Sequence, residues 1–315
     1  MSASADKASI QRLVEGFSTE VLPRDATPDH AALRRALLPA GISVYLTFLP
    51  HSTTAEMVAA ARQLRREGFN PVPHIAARSL RDERELDDYL ARLKDEAQVS
   101  QALIIAGDLD RPRGAFHCAM QLFDTGLFEK FAIRRIGIAG HPEGHPAASH
   151  KALSEALRAK IAYGQRTGAE LYIVTQFCFE AEPILSFAET LRGEGIRLPI
   201  HAGLPGVTTL KSLLAYAKAC GIGPSVRALT RRGRALARLP RFATPAALIA
   251  ALACHRVQHP QSLIERIHVF PLGAFARTTQ WLTAVREGRF AFEADGGDFS
   301  VEDTGGPGEF LSSVR

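Results

Sequence analysis

Arg135-Ile-Gly-Ile-Ala-Gly-His-Pro-Glu-Gly-His-Pro146 is the stretch on which the reading of the chain turns. The apolar run Ile136–Ala139 breaks at Gly140, and two imidazoles and a carboxylate follow at once, His141, Glu143 and His145. Pro142, Gly144 and Pro146 forbid regular structure there. A buried strand that ends abruptly in polar, backbone-constrained residues has the form of an active-site loop at the end of a parallel strand. Taken alone, it would equally suit a polar loop with a proline turn. The same event recurs along the chain at regular intervals, and that recurrence decides the fold.

Upstream, Ala102–Ala106 reads as a strand closing in Gly107-Asp108, with helical patterns on either side at Arg81–Glu96 and Phe116–Phe128. Val72–Ala77 and Ile42–Leu49 read as earlier strands separated by a helix over Thr54–Glu67. Pro28–Leu38 reads as a helix and Leu13–Leu22 as the first strand, ending in Pro23. Downstream come helix His150–Tyr163, strand Glu170–Phe177, helix Pro183–Glu194, strand Leu198–Ala202 and helix Thr208–Ala219. A longer interval, about 225–256, reads as inserted helices before strand Arg266–Phe270 and helix Ala274–Arg286. Eight apolar strands alternating with helices imply a parallel sheet covered on both sides, and eight such units predict closure as a single-domain (β/α)8 TIM barrel over residues 13–290. Residues 1–12 are then a polar lead-in and 291–315 a loosely ordered tail rich in Gly, Ser, Asp and Glu. An open doubly wound sheet is the alternative, but no convincing G-x-G-x-x-G follows the first strand.

Composition narrows the class. Apolar content of 46% with 23% charged residues is that of a globular chain able to bury a core. The net charge of +5 is modest and does not point to nucleic acid; the basic cluster in Thr230–Arg241 reads as a solvated face, with contact to an anionic tail or phosphate as the alternative. Cys118, Cys178, Cys220 and Cys254 stand far apart without a CxxC pair, which suggests neither zinc nor a disulfide framework. No signal-peptide core and no run of membrane-spanning length is present, so the expectation is a cytoplasmic protein without a membrane partner.

In a barrel of this kind the chemistry projects from the C-terminal ends of the strands. Those positions hold Glu20, Thr47, His74 with Arg78 just beyond, Asp108, the His141–Glu143–His145 group, Gln176, and Gly203 with Pro205. Any one of them would also suit a helix cap. Their convergence on one mouth would not be explained by capping.

The motifs PHIAAR (73–78), AGDLDRP (106–112), GIAGHPEGHP (137–146), VTQFCF (174–179) and AGLPGV (202–207), with FSTEVLP (17–23) ahead of them, resemble the methylenetetrahydrofolate reductases in order and spacing. The resemblance covers about residues 13–290. It implies a barrel that binds FAD without a Rossmann fold and passes a hydride between flavin and a folate, interconverting 5,10-methylenetetrahydrofolate and 5-methyltetrahydrofolate. A nicotinamide dinucleotide, NADH or NADPH, is the implied electron donor. Reduction would feed methyl groups to methionine synthesis, and oxidation would return one-carbon units released by demethylation.

Carried over by motif, Glu20 matches the general acid, Asp108 the carboxylate between flavin and pterin, and Gln176 the folate-binding glutamine. Thr47, His74, Gly107, Asp108, His141 and His145 match flavin-contacting positions, and Lys160 the cation for the FAD diphosphate. A glutamic acid that protonates its substrate near neutrality needs a raised pKa, and Phe17, Val21 and Leu22 predict an apolar setting for Glu20. The chain departs from the family pattern in four places: Thr-Glu-Val-Leu-Pro is less aromatic than usual, His141 stands where tyrosine is common, Ala106 where arginine often precedes Gly-Asp, and the helix carrying Lys160 reaches Gly168 by a longer path than usual. It resembles a short, divergent bacterial-type branch without the regulatory domain of the eukaryotic enzymes; a homo-oligomer is compatible with it. A second reading takes His74, Asp108, His141 and His145 as ligands of a metal-dependent barrel hydrolase, though no H-x-H pair follows the first strand. A third, a non-catalytic flavin or folate binder, sits poorly with Glu20, Asp108 and Gln176 together.

Overall fold

The computed structural model describes residues 5–219, 243–293 and 297–301. Eight parallel strands close into a barrel in chain order, β1 (Ser18–Val21), β2 (Ser43–Leu46), β3 (Asn70–Ala76), β4 (Gln101–Ile105), β5 (Arg135–Gly140), β6 (Glu170–Phe177), β7 (Ile200–Pro205) and β8 (Ile264–Phe270), with β8 pairing back onto β1. The TIM barrel expected from the strand–helix alternation is therefore the fold. Thr230–Arg241, Cys220 and most of the interval read as inserted helices lie outside the described residues.

Local chemistry starts and stops the helices. α3 (Thr54–Arg66) opens on a capping box in which Thr53 and Glu56 satisfy each other's backbone N–H groups. Asp82 caps α4 (Glu83–Ala97), whose first turn carries Glu83 and Glu85 where the helix dipole favours acids. Ser149 caps α7 (His150–Thr167), which runs past the expected Tyr163 until Gly168 ends it in the left-handed conformation. α8 (Ala181–Gly193) and α9 (Leu210–Ala219) follow β6 and β7, and α10 (Ala246–Gln258) precedes β8.

Three expectations are corrected. Lys7–Glu15 is a helix, α1, capped by Asp6 and packed against α10, β8 and α11 (Phe275–Arg286), so neither a polar lead-in nor a strand occupies residues 7–15. Ile10, Leu13 and Val14 are buried at helical spacing. The expected helix Phe116–Phe128 is two short ones, α5 (Ala119–Phe123) and α6 (Leu127–Lys130), because Gly126 takes φ +71 between them. At the other end Phe290–Phe292 and Phe299–Val301 pair as antiparallel strands, β9 and β10, where a loose tail had been expected from residue 291; residues 294–296 and 302–315 of that tail lie outside the described residues. Phe299 stacks on Trp281 of α11 and touches Phe290, and this aromatic burial orders the segment.

The barrel interior is packed separately from the shell between sheet and helices. Tyr45, Val72, Leu103, Tyr172 and Val174 form their own buried cluster. Two tyrosine hydroxyls meet inside it, Tyr45 Oη to Tyr172 Oη at 3.0 Å, and Gln101 donates to the latter at 3.1 Å. Gly137 makes room for this pair: a Cβ there would lie 2.9 Å from the Tyr172 ring and 3.0 Å from Leu103. This polar plug closes the barrel below the residues at its mouth.

A buried ion pair fixes the chain just beyond β1. Arg34 of α2 (Ala31–Leu37) pairs with Glu67 through two guanidinium nitrogens and donates to the carbonyls of Asp25 and Thr27. Gln63 gives Glu67 a further hydrogen bond at 2.7 Å. The loop that leaves the Glu20 strand is thus tied to the helix before β3.

Candidate active site

Glu20 lies one residue before the end of β1, beside Tyr45 of β2 in the sheet register. Its carboxylate is enclosed by three strands. Oε2 accepts from Thr47 Oγ1 at 3.1 Å, just past β2. Oε1 faces two imidazoles, with His268 Nε2 of β8 at 3.3 Å and His74 Nε2 of β3 at 3.4 Å. His268 is fully buried, and its Nδ1 stands 2.8 Å from Ser18 Oγ. The apolar setting expected for Glu20 is not what surrounds the carboxyl. Burial pushes its pKa up, but the hydrogen bond of His268, the close approach of His74 and the charges of both imidazoles outweigh burial and hold it below the ordinary carboxylate range. A carboxyl ionised at rest acts as an acid only if a neighbour passes it a proton.

Asp108 is exposed on the loop after β4, and that loop is clamped. Arg78 reaches across from β3 to donate to the carbonyls of Leu109 and His117, each at 3.0 Å, while its own N–H bonds the Ala106 carbonyl. Arg113 and Ala115 donate back to the carbonyls of Arg78 and Arg81. Gly107 turns with φ +89, and a Cβ there would stand 3.1 Å from Ala76 Cβ, so only glycine suits the approach. Arg78, one of the strand-end candidates, is thereby a clamp for the Asp108 loop.

After β5, His141-Pro-Glu-Gly144 is a four-residue turn closed by Gly144 N–H to the His141 carbonyl at 3.0 Å, with φ +80 at Gly144. The turn stacks His141 edge-on against His145, ring centres 5.2 Å apart. Burial, then the charges of His145 and Lys160, push His141 down to about 4, so it is a neutral imidazole near pH 7. Lys160 in α7 is itself pushed down by burial. The structure therefore brings Lys160 to the same corner as His141 and His145.

Gln176 is half-buried near the end of β6, where the β6–β7 register shifts between Val174 and Phe177. Such an irregularity re-aims side chains at a barrel rim. Gly203 lets the strands approach: a Cβ there would collide with the carbonyls of Thr175 and Gln176. Beyond it Phe177, Phe179 and Phe270 line the rim, with Phe177 5.7 Å from Phe179 and 5.4 Å from Phe270.

The four residues of the metal reading do not converge: His74 faces Glu20, while His141 faces His145. Among the described residues no group of three or more His, Cys, Asp or Glu side chains is arranged to hold a metal ion. Among the described cysteines Cys178 is buried and Cys118 exposed. No helix among the described residues is long and apolar enough to cross a membrane. Sequence reasoning missed Ser18 and His268. The signal available was the alternation Arg266, His268, Phe270 along β8, which sends every second side chain to one face.

The sequence profile described as methylenetetrahydrofolate reductase matches residues 27–227. Asp108, His141 and Gln176 lie within that span; Glu20 and His268 flank it. The chain is 38% identical over 143 residues to the probable methylenetetrahydrofolate reductase (NADPH) of Caenorhabditis elegans, a stretch covering 42% of this chain and 20% of that protein. It is 32% identical over 113 residues to methylenetetrahydrofolate reductase (NADH) 1 of Arabidopsis thaliana, covering 34% of this chain and 19% of the relative. The chain thus aligns with about a fifth of the length of these two relatives.

Proposed function

The chain belongs to the methylenetetrahydrofolate reductase family, and from that membership we propose that it interconverts 5,10-methylenetetrahydrofolate and 5-methyltetrahydrofolate by hydride transfer through FAD. The observation that carries the reading is the Glu20 carboxyl, enclosed by two imidazoles and a hydroxyl at the mouth of the barrel. The methylene bridge of this substrate is unreactive until N10 is protonated, so the reaction needs a protein acid. Opening of the bridge leaves an iminium at N5 that accepts hydride. In this reading Glu20 delivers the N10 proton, and Asp108, on its clamped loop, accepts hydrogen bonds from the amino and ring N–H edge of the pterin. Gln176 binds the folate from the opposite rim.

FAD, when bound, supplies the hydride and takes it back in reverse. The residues for it are Thr47, His74, Gly107, Asp108, His141, His145 and Lys160. The corner formed by the last three fits a diphosphate, because burial disfavours positive charge on His141 and Lys160, the charges of His145 and Lys160 disfavour it further on His141, and a bound anion would favour it. Neutral imidazole can also donate a hydrogen bond to a phosphate oxygen. Gly107 brings backbone close to the mouth without a side chain in the way. The electron donor in this reading is NADH or NADPH.

The visible spectrum of the purified protein tests the proposal. Oxidised-flavin absorbance is expected in the holoprotein, and apoprotein should regain it on addition of FAD. Absence of flavin together with no spectral change on adding FAD would contradict it. A second expectation follows from Asp108. Asp108→Asn should keep the fold and the flavin but weaken folate turnover, since the amide presents one acceptor where the carboxylate presents two. Loss of a charged hydrogen bond costs roughly 1.5–3 kcal/mol, about one to two orders of magnitude in kcat/KM. Steady-state kinetics with the folate that match the unaltered protein would remove Asp108 from the site.

A further inference from the structure

His268 is held more tightly than any other group facing Glu20. Its Nε2 lies 3.3 Å from Glu20 Oε1 and its Nδ1 2.8 Å from Ser18 Oγ, so both ring nitrogens are engaged. Tyr45 packs on the ring at 4.4 Å between centres, and Phe270 meets it edge-on at 4.7 Å. The ring has no room to turn and no exposure to water. His74 differs: its Nε2, 3.4 Å from the same oxygen, is buried without a hydrogen-bond partner of good geometry. A serine hydroxyl donates or accepts through one oxygen. With Ser18 Oγ accepting from Nδ1–H, the proton that His268 gains or loses is the one on Nε2, facing Glu20, so the ring changes charge without moving.

We propose that His268, oriented by Ser18, is the positioning residue that holds the proton Glu20 delivers to N10 of the folate. The inference rests on Glu20 being the acid, as argued above. In the loaded state His268 carries a proton on each nitrogen, with Nδ1–H donating to Ser18 Oγ and Nε2–H to Glu20 Oε1. The Nε2 proton passes to the ionised carboxyl of Glu20, which hands that same proton on to N10. The site is left with an ionised Glu20 and a neutral His268 protonated on Nδ1. One proton has gone to the substrate, no other bond of the protein has changed, and solvent returns that proton after product leaves. The groups around His268 are Glu20 and Ser18 from β1, Tyr45 from β2, His74 across the carboxylate from β3, and His201 of β7, whose proton affinity is lowered first by burial and then by the charges of Arg266 and His268.

The test measures the two half-reactions of the holoprotein separately by rapid mixing across pH, for Glu20→Gln, His268→Gln, His74→Gln and Ser18→Ala. His268→Gln should slow the folate half by about 10–10²-fold, a share of what general acid catalysis supplies, and flatten its alkaline limb while the donor half stays unchanged. Ser18→Ala should keep the limb but move it to lower pH, because the charged ring loses the acceptor for Nδ1–H. A merely structural role would slow both halves alike and leave the limb in place; that result overturns the proposal. So does a limb lost in His74→Gln and kept in His268→Gln. If Glu20→Gln itself leaves the folate half intact, the Glu20 reading fails first, and the two failures are distinguished.

Discussion

Glu20→Gln is expected to nearly abolish reduction of methylenetetrahydrofolate while leaving reduction of bound flavin by its electron donor almost unchanged. The amide keeps the size of the carboxyl and can still accept from Thr47, which now lies 3.1 Å from Oε2, so packing at the mouth is preserved. What it cannot do is relay a proton. Only the folate half needs one at N10, and general acid catalysis is worth about 10²–10⁴-fold, so the loss should be large and confined to that half. If Glu20 instead only shaped the first barrel loop, substitution would lower stability or flavin affinity and slow both halves together. Separate stopped-flow traces decide between these outcomes, and Glu143 is the next acid to examine if both halves slow equally.

The second large effect is on stability. Arg34→Met should lower the free energy of unfolding by roughly 3–5 kcal/mol, the usual cost of breaking a buried ion pair by removing one partner. Both side chains are almost inaccessible, at 2% and 1%, so water cannot take over the lost contacts. Glu67 would retain only the Gln63 amide, and the carbonyls of Asp25 and Thr27 would lose their guanidinium donor. Replacing both Arg34 and Glu67 by methionine should recover part of the loss, because the uncompensated charge is gone while the Asp25 carbonyl remains unpaired and that of Thr27 keeps only the His30 N–H. Urea unfolding measures both variants. A loss below about 1 kcal/mol for Arg34→Met, the range of an exposed pair, would mean that the pair is solvated.

The fold was legible because each strand is short, apolar and followed by a residue that cannot continue it. Gly107, Gly140 and Pro205 punctuate the chain at or just past the ends of β4, β5 and β7. Misreadings fell where two periods overlap. Ile10, Leu13, Val14 and Phe17 are all buried; their spacing is helical, yet Leu13–Leu22 also reads as a strand because Phe17, Thr19 and Val21 alternate. The Phe116–Phe128 helix was overextended because Asp124-Thr125-Gly126 was not read as a break. In the site, Glu20, Asp108, His141 and Gln176 were visible as polar residues at strand ends. The environment of Glu20 was not. Its hydrogen-bonding imidazole His268 is 248 residues away in sequence and arrives only when the last strand closes on the first. Phe17 and Val21 do flank Glu20 in sequence and are buried, but alternation along a strand sends neighbours to the opposite face. That is why the predicted raised pKa became a lowered one.

The most direct test of the central claim uses one mixing experiment. Photoreduced holoprotein, free of nicotinamide, is mixed anaerobically with methylenetetrahydrofolate while the visible flavin absorbance is followed. The account predicts that oxidised-flavin absorbance returns in a single turnover with formation of an equal amount of methyltetrahydrofolate, and that Glu20→Gln protein, reduced to the same extent, stays reduced. Flavin that remains reduced in the unaltered protein, or reoxidises equally well in the variant, would contradict it.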